Sequence, residues 1–241
     1  MTPTSDKTAT SIRSTVSSYV NAMNFLEDTE EPFSIRKWIQ DDKKKNWLFL
    51  SMLHDQRDAL RPIISAWTSI AIKSLFGCKP DGKRRLWFFM DELPVLHKIN
   101  DLSNCLAESR KYGGCVVLGL QNMPQLEDIY GPHQSKTIID LCSTKFLLRM
   151  ASYDLAHQLS KTLGERETSE IQEGISYGAN EIRDGVNLSK IIKERPTVSP
   201  TDLLSLGDLE VFIKMPGNIP LTKIKLKYKK IASNCSSFVI K

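Results

Sequence analysis

The 241 residues contain no G-x-x-x-x-G-K-[ST], no C-x-x-C pair and no apolar run long enough to cross a membrane. The first absence removes the loop whose backbone amides cradle nucleotide phosphates and whose lysine neutralises them. Gly77-Cys78-Lys79 and Gly82-Lys83 are the nearest approaches; both lack the spacing and the following hydroxyl, and they read as an ordinary turn. The five cysteines are an odd number without paired spacing, so neither a disulfide framework nor a zinc site is expected, and a reducing cytosol fits. His157 has no second histidine at metal-binding spacing. The longest candidate span, 63–72, is broken by Ser, Thr and Trp and reaches half the length a bilayer needs. The opening, 1–18, is rich in Ser and Thr without an apolar core, so no secretory signal is expected. Acids are missing from 211–241, which holds seven lysines.

What is present is a globular composition, 41% hydrophobic and 25% charged, with enough chain for one sizeable core. The net charge of +5 permits a nucleic-acid partner without requiring one. The centre of the chain is Leu86-Trp87-Phe88-Phe89-Met90-Asp91-Glu92, an unbroken apolar run of five followed by two carboxylates. A run so short without polar alternation predicts a strand buried on both faces, which Pro94 terminates. Acids at the carboxyl end of such a strand stand where open α/β sheets bind ligands. Ionised carboxylates there need a cation or water, and hydrated magnesium with a nucleoside triphosphate is the natural candidate. Ordinary strands also end in an acid at a turn, so this pattern alone is weak.

Around the run, the order of elements predicts an α/β fold. Ser34 caps a helix through Ile35, Trp38 and Ile39, 47–50 reads as a short strand, and 58–76 as an amphipathic helix with Pro62 near its start. After Pro94, Asn100 or Asp101 caps a helix that Gly113-Gly114 ends. Residues 115–120 form a second buried strand, with Gln121-Asn122 at its tip beside the acids. An amide at that place holds a water or phosphate oxygen, or simply caps a turn. Arg110, on the flank of the preceding helix, reads by itself as a surface arginine complementing the helix dipole. Further on, 125–131 and 138–142 are helical, 145–150 a strand, 154–163 a helix, 165–189 a loop, 196–206 a capped short helix, and 210–215 and 221–228 an antiparallel pair. The lysines of the last strand guard an edge or contact phosphates.

Long ordered stretches carry a resemblance. FSIRKWIQDDKKKNWLFLS at 33–51, RRLWFFMDELPVLHKINDL at 84–102, ESRKYGGCVVLGLQN at 108–122, QLEDIYG at 125–131 and ISYGANEIRDGVNLS at 175–189 are among them. Over 33–227 the chain resembles the TraD/TrwB-type coupling proteins, the DNA-pumping ATPases that link a processed plasmid strand to a type IV secretion channel. The resemblance implies part of a RecA-like P-loop NTPase sheet, mostly parallel with helices on both faces, followed by an antiparallel C-terminal strand pair. It implies that 1–32 is a disordered or helical remnant of an all-α domain with a linker, 33–232 the later portion of the motor domain, and 233–241 a tail. Residue by residue it implies that Asp91 and Glu92 are the Walker B pair, Asp91 holding magnesium through water. Gln121 then senses the phosphate, and Arg110 reaches a neighbouring subunit's nucleotide in a six-membered ring. ATP and magnesium are the implied cofactors, effective only with a P-loop-bearing segment, which a separate N-terminal fragment could supply. Implied partners are DNA, the relaxosome and the secretion-channel proteins, at the cytoplasmic face of the inner membrane.

The resemblance places the P-loop strand between the 115–120 and 145–150 strands, so both are expected to have open edges without it. Two readings of different class follow: a motor fragment unable to hydrolyse ATP alone, and a non-catalytic module docking on DNA or secretion partners. A metal-dependent nuclease built on Asp91 and Glu92 ranks last, for want of further acids.

Overall fold

The computed structural model describes residues 3–26, 30–41, 46–176 and 185–231. The chain divides into two compact units, Met1–Cys142 and Ser143–Lys241.

The first unit is a βαβ element with a helical layer. Strand β1 (Leu86–Met90) lies parallel to β2 (Gly114–Leu118), pairing Leu86 with Gly114 and Met90 with Leu118. A parallel neighbour requires a crossover, supplied by α4 (Leu102–Glu108) and a 3-10 turn (Ser109–Tyr112). Gly113 ends that turn at φ 80, where a β-carbon would lie 2.6 Å from Arg84, so the tight entry into β2 needs glycine. Leu86, Phe88 and Met90 share one sheet face with Val116 and Leu118. That face packs against α3 (Arg57–Phe76), α4, α5 (Met123–Tyr130) and α6 (Pro132–Leu141) through Ile72, Leu102, Cys105, Leu126 and Ile138. Each such fully buried aliphatic side chain contributes about 1.5–3 kcal/mol before the entropy of ordering is subtracted. Ser65 and Thr68, buried within α3, donate to the carbonyls of Arg61 and Ile64, which satisfies both hydroxyls. α2 (Ile35–Gln40) starts at Ser34, whose hydroxyl accepts from the Lys37 N–H, as its sequence predicts.

In the second unit β3 (Lys145–Leu147), β6 (Glu210–Lys214) and β7 (Thr222–Lys225) form an antiparallel sheet in that order. Leu147 packs with Ala156 and Leu163 of the α7 region (α7, Tyr153–Thr162) and with Leu203 of α8 (Pro200–Leu204). Ser199 opens α8 with a capping box: its hydroxyl accepts from the Asp202 N–H, and the Asp202 carboxylate accepts from the Ser199 N–H. His157, exposed on α7, stacks on Tyr153.

Several expectations are corrected. Residues 3–23, within the stretch expected to be either disordered or helical, form helix α1 (Pro3–Met23). Ile12, Val16, Val20 and Met23 recur at helical spacing there, a period that the Ser/Thr-rich composition masks. Residues 47–50 pair with no strand among the described residues. The 165–189 loop is instead largely a two-stranded antiparallel ribbon, β4 (Glu165–Ser176) with β5 (Gly185–Pro196), because hydrogen-bonded pairing runs from Glu165–Pro196 to Ser176–Gly185. Asp101 precedes α4 without capping it, since its carboxylate is held by Lys73 at 3.4 Å. Strand β1, expected to be buried on both faces, is covered on one among the described residues: Trp87 and Phe89 stay 54% and 57% exposed on the other. The triple lysine at 43–45, Arg183-Asp184 and the tail 233–241 lie outside the described residues.

Candidate nucleotide crevice

The carboxyl ends of β1 and β2 meet in one place. Gly119 donates its N–H to the Met90 carbonyl at 2.8 Å, and its own carbonyl accepts from the Leu93 N–H at 3.0 Å. These two bonds bracket Asp91-Glu92, so the acids project from a loop fastened to the second strand tip. A β-carbon on Gly119 would overlap the Asp91 carbonyl oxygen, which makes glycine obligatory there. Gln121 lies two residues beyond this clamp. The structure therefore brings Asp91, Glu92 and Gln121 to the same end of one parallel sheet. Leu93, fully buried, anchors the short 3-10 turn (Leu93–Val95) that carries the chain away.

The side chains at this end are available for work. Asp91 and Gln121 are exposed and Glu92 is half-buried, and among the described residues none of the three side chains makes a hydrogen bond or ion pair. The turn-capping duty open to the Gln121-Asn122 pair falls to Asn122, whose side-chain oxygen accepts from the Gln125 N–H at 3.1 Å and starts α5. That leaves the Gln121 amide free to bind. Among the described residues no three His, Cys, Asp or Glu side chains cluster at metal-binding distance. Two neighbouring acids suit the outer shell of a hydrated magnesium, which keeps most of its waters. The 241 residues contain no glycine-rich motif of the kind whose amides cradle nucleotide phosphates.

Arg110 sits elsewhere. It lies exposed in the 3-10 turn before β2, at the opposite end of the strands from Asp91. Five paired residues separate the two ends, roughly 15 Å of strand. The structure thus does not bring Arg110 into the crevice of its own subunit; it stands exposed in the last turn of the helical crossover, beside the carboxyl end of α4, where the sequence by itself puts it.

Among the lysines of β7, Lys223 binds Glu210 at 2.9 Å and lies over the Phe212 ring, a cross-strand role. That bond and the Gly207 N–H hold the Glu210 carboxyl below the usual range. Cys105 is fully buried, and burial pushes its thiol up to about 11, which removes it as a nucleophile. Among the described residues no helix is long and apolar enough to cross a membrane. Sequence reasoning missed Gly119, although a glycine within the apolar stretch Val116-Val117-Leu118-Gly119-Leu120 signals close backbone approach.

Comparisons with known proteins show the family. The family described as the type IV secretion-system coupling protein DNA-binding domain matches residues 1–227. Coupling protein TraD of Escherichia coli (strain K12) is 42% identical over 230 residues, 93% of this chain and 32% of TraD. The bacterial conjugative coupling protein TrwBdeltaN70, in its unbound monoclinic form, superposes with a TM-score of 0.74 at 33% identity, over 86% of this chain and 46% of that one. TrwB in complex with a non-hydrolysable ATP analogue gives 0.81 at 30% identity, over 99% of this chain and 53% of that one. The chain spans about a third to a half of the length of these relatives, and its fold is that of the RecA-like P-loop NTPases to which they belong. It is a member of the type IV secretion-system coupling protein family.

Proposed function

We propose that this chain is the acid-and-sensor half of a conjugative coupling-protein motor, which moves DNA toward a type IV secretion channel once a P-loop-bearing segment completes its nucleotide crevice. The observation that carries this reading is the Gly119 clamp, which holds unpartnered Asp91 and Glu92 beside the strand leading to Gln121. TrwB has been solved with ADP and magnesium and with an ATP analogue, which supports the same ligands for the completed form of this chain. Asp91 would hold the hydrated magnesium, Glu92 would polarise the attacking water, and Gln121 would hold a phosphate oxygen. When bound, the magnesium neutralises the charge developing on the phosphates. Arg110, being at the far end of the sheet, serves a neighbour's crevice, and that role demands a ring, of six subunits by family resemblance. DNA, the relaxosome and the channel proteins are the partners, and the last two bring the chain to the cytoplasmic face of the inner membrane.

The test is ATP turnover by the chain joined to the P-loop-bearing part of a coupling-protein relative. Turnover that vanishes with Asp91→Ala supports the motor; a folded, joined protein that turns over ATP regardless of Asp91, or not at all, overturns it. The missing cradle favours a second reading, a docking module without catalysis. DNA binding by the chain alone that ignores nucleotide, Asp91→Ala and Arg110→Ala would support that alternative.

A further inference from the structure

The β4–β5 ribbon carries different chemistry on its two faces, and one of them is apolar, acidic and uncovered. Residues paired directly across the strands share a face, so Ser169–Ile192 and Ile171–Lys190 stand on one side with Glu165 and the Glu167–Glu194 pair. Arg166–Arg195 and Thr168–Lys193 stand on the other, where Lys193 and Arg195 hold Glu170. Ile171 and Ile192 are 72% and 62% exposed. Glu165, Glu167 and Glu194 are exposed too, and among the described residues their carboxylates make no ion pair or hydrogen bond. Two acids directly opposite one another across a ribbon repel unless a cation joins them. Among the described residues β4 and β5 pair only with each other, and an isolated two-stranded ribbon is marginal in water.

We infer that this face receives the lysine-rich segment 226–231 of a second copy of the chain, in a head-to-tail contact. The segment has the complementary chemistry: Leu226, Tyr228 and Ile231 are exposed, and Lys227, Lys229 and Lys230 alternate with them without an acid. Among the described residues none of these three lysines makes an ion pair. The apolar side chains would seat on Ile171 and Ile192, and the four-carbon lysine stems would carry their ammonium groups to Glu167 and Glu194. The segment of the same copy is poorly placed to do this. Arg166, on the other face of the ribbon, and Lys223 of β7 both help to lower the Asp202 carboxyl, so the strand leading into 226–231 stands by that other face. Nucleic acid is repelled from the acidic face by like charge. A contact between two different patches repeats from copy to copy, and it closes into a ring where the rotation allows. It uses no residue of the nucleotide crevice, so it goes beyond the motor reading and stands without it.

The test is sedimentation velocity of the 241-residue chain over a range of concentrations. Association beyond a dimer is expected, and it should weaken about tenfold when salt is raised from about 0.05 M to about 0.5 M. Lys227→Glu with Lys229→Glu is expected to weaken it by about a hundredfold, and so is Ile171→Asp with Ile192→Asp. Mixed together, those two variants should recover one contact and stop at a heterodimer, because the first keeps an intact ribbon face and the second an intact lysine segment. Circular dichroism checks the fold of both, and a ribbon lost in the second variant leaves the first to decide. Carbodiimide, which condenses a carboxylate with an amine into an amide with loss of water, is expected to join Glu167 or Glu194 of one copy to Lys227 or Lys229 of another. Mixing isotope-labelled with unlabelled chain identifies such links as intermolecular by mass spectrometry. A chain that stays monomeric up to about 100 μM overturns the inference. So does association that survives Lys227→Glu with Lys229→Glu, or that appears only when single-stranded DNA is added.

Discussion

The carbonyl oxygen of Asp91 occupies the space that a β-carbon on Gly119 would need, so the two strand tips meet main chain to main chain. Both flanking hydrogen bonds, from Gly119 to Met90 and from Leu93 to Gly119, depend on that approach. Gly119→Ala is expected to force the tips apart and to destabilise the chain by about 1–3 kcal/mol, as overpacking in close-packed regions does. Gly82→Ala is the control: a β-carbon there meets nothing within 4 Å, so stability changes by less than about 0.5 kcal/mol. Urea unfolding of both variants checks the pair.

Asp91 and Arg110 are expected to separate stability from activity. Both are exposed, so alanine at either position leaves the urea midpoint of the chain within about 0.5 kcal/mol of its original value. In the completed motor, Asp91→Ala abolishes turnover, and Arg110→Ala lowers it by about 10³–10⁵, the range for an arginine that stabilises a transferring phosphoryl group. Because the two residues stand at opposite ends of the sheet, mixing the two inactive variants is expected to restore part of the rate. Mixed assemblies in which an intact crevice faces an intact arginine account for that recovery, and its absence would place Arg110 outside any neighbour's site.

Alkaline instability is expected to originate in the first unit's core. Burial pushes the Cys105 thiol up to about 11 and raises the Tyr130 phenol, whose oxygen accepts the Ile99 N–H at 3.1 Å. Both folded-state values lie above those of the unfolded chain, so the neutral groups stabilise the fold fully below about pH 9. That contribution is lost as pH rises through the folded values, by no more than about 3 kcal/mol for the thiol. Urea midpoints measured between pH 8 and 11 should fall, and Cys105→Ala should flatten the fall while lowering stability at pH 8.

At the acid end the α8 capping box is the sensitive element. Hydrogen bonds from the Ser199 hydroxyl and N–H hold the Asp202 carboxyl below the usual range. A depressed carboxylate contributes above the unfolded-state value, and its contribution disappears as pH falls through the folded one. Ser199→Ala is expected to cost about 1 kcal/mol at pH 7 and to weaken the acid dependence, measured by urea unfolding at pH 7 and pH 3.

The strands β1 and β2, the cap at Ser34, a capped short helix within 196–206, the end of the crossover at Gly113 and the antiparallel closing strands were legible in the sequence because each depends on neighbours within a few residues. A five-residue apolar run, a serine before a helical period and a glycine at a turn carry their physics locally. Helix α1 was one of two possibilities because its apolar period is sparse within a Ser/Thr-rich stretch. The β4–β5 ribbon was read as a loop because its pairing joins residues as far apart as Glu165 and Pro196. Asp101 was read as a cap because its competing partner, Lys73, lies 28 positions away in sequence and next to it only in space.

For the crevice the same division holds. The sequence by itself determined the chemistry: two acids after a buried strand, an amide after the next, and no phosphate cradle among 241 residues. Only the tertiary structure decided which of these groups share a place. It put Asp91, Glu92 and Gln121 at one end of the sheet and Arg110 at the other, and it left Trp87 and Phe89 facing outward. The reason is that direction and coverage are properties of strand pairing: parallel register sends both acid and amide to the same end, and which sheet face is buried depends on the helices available to pack on it.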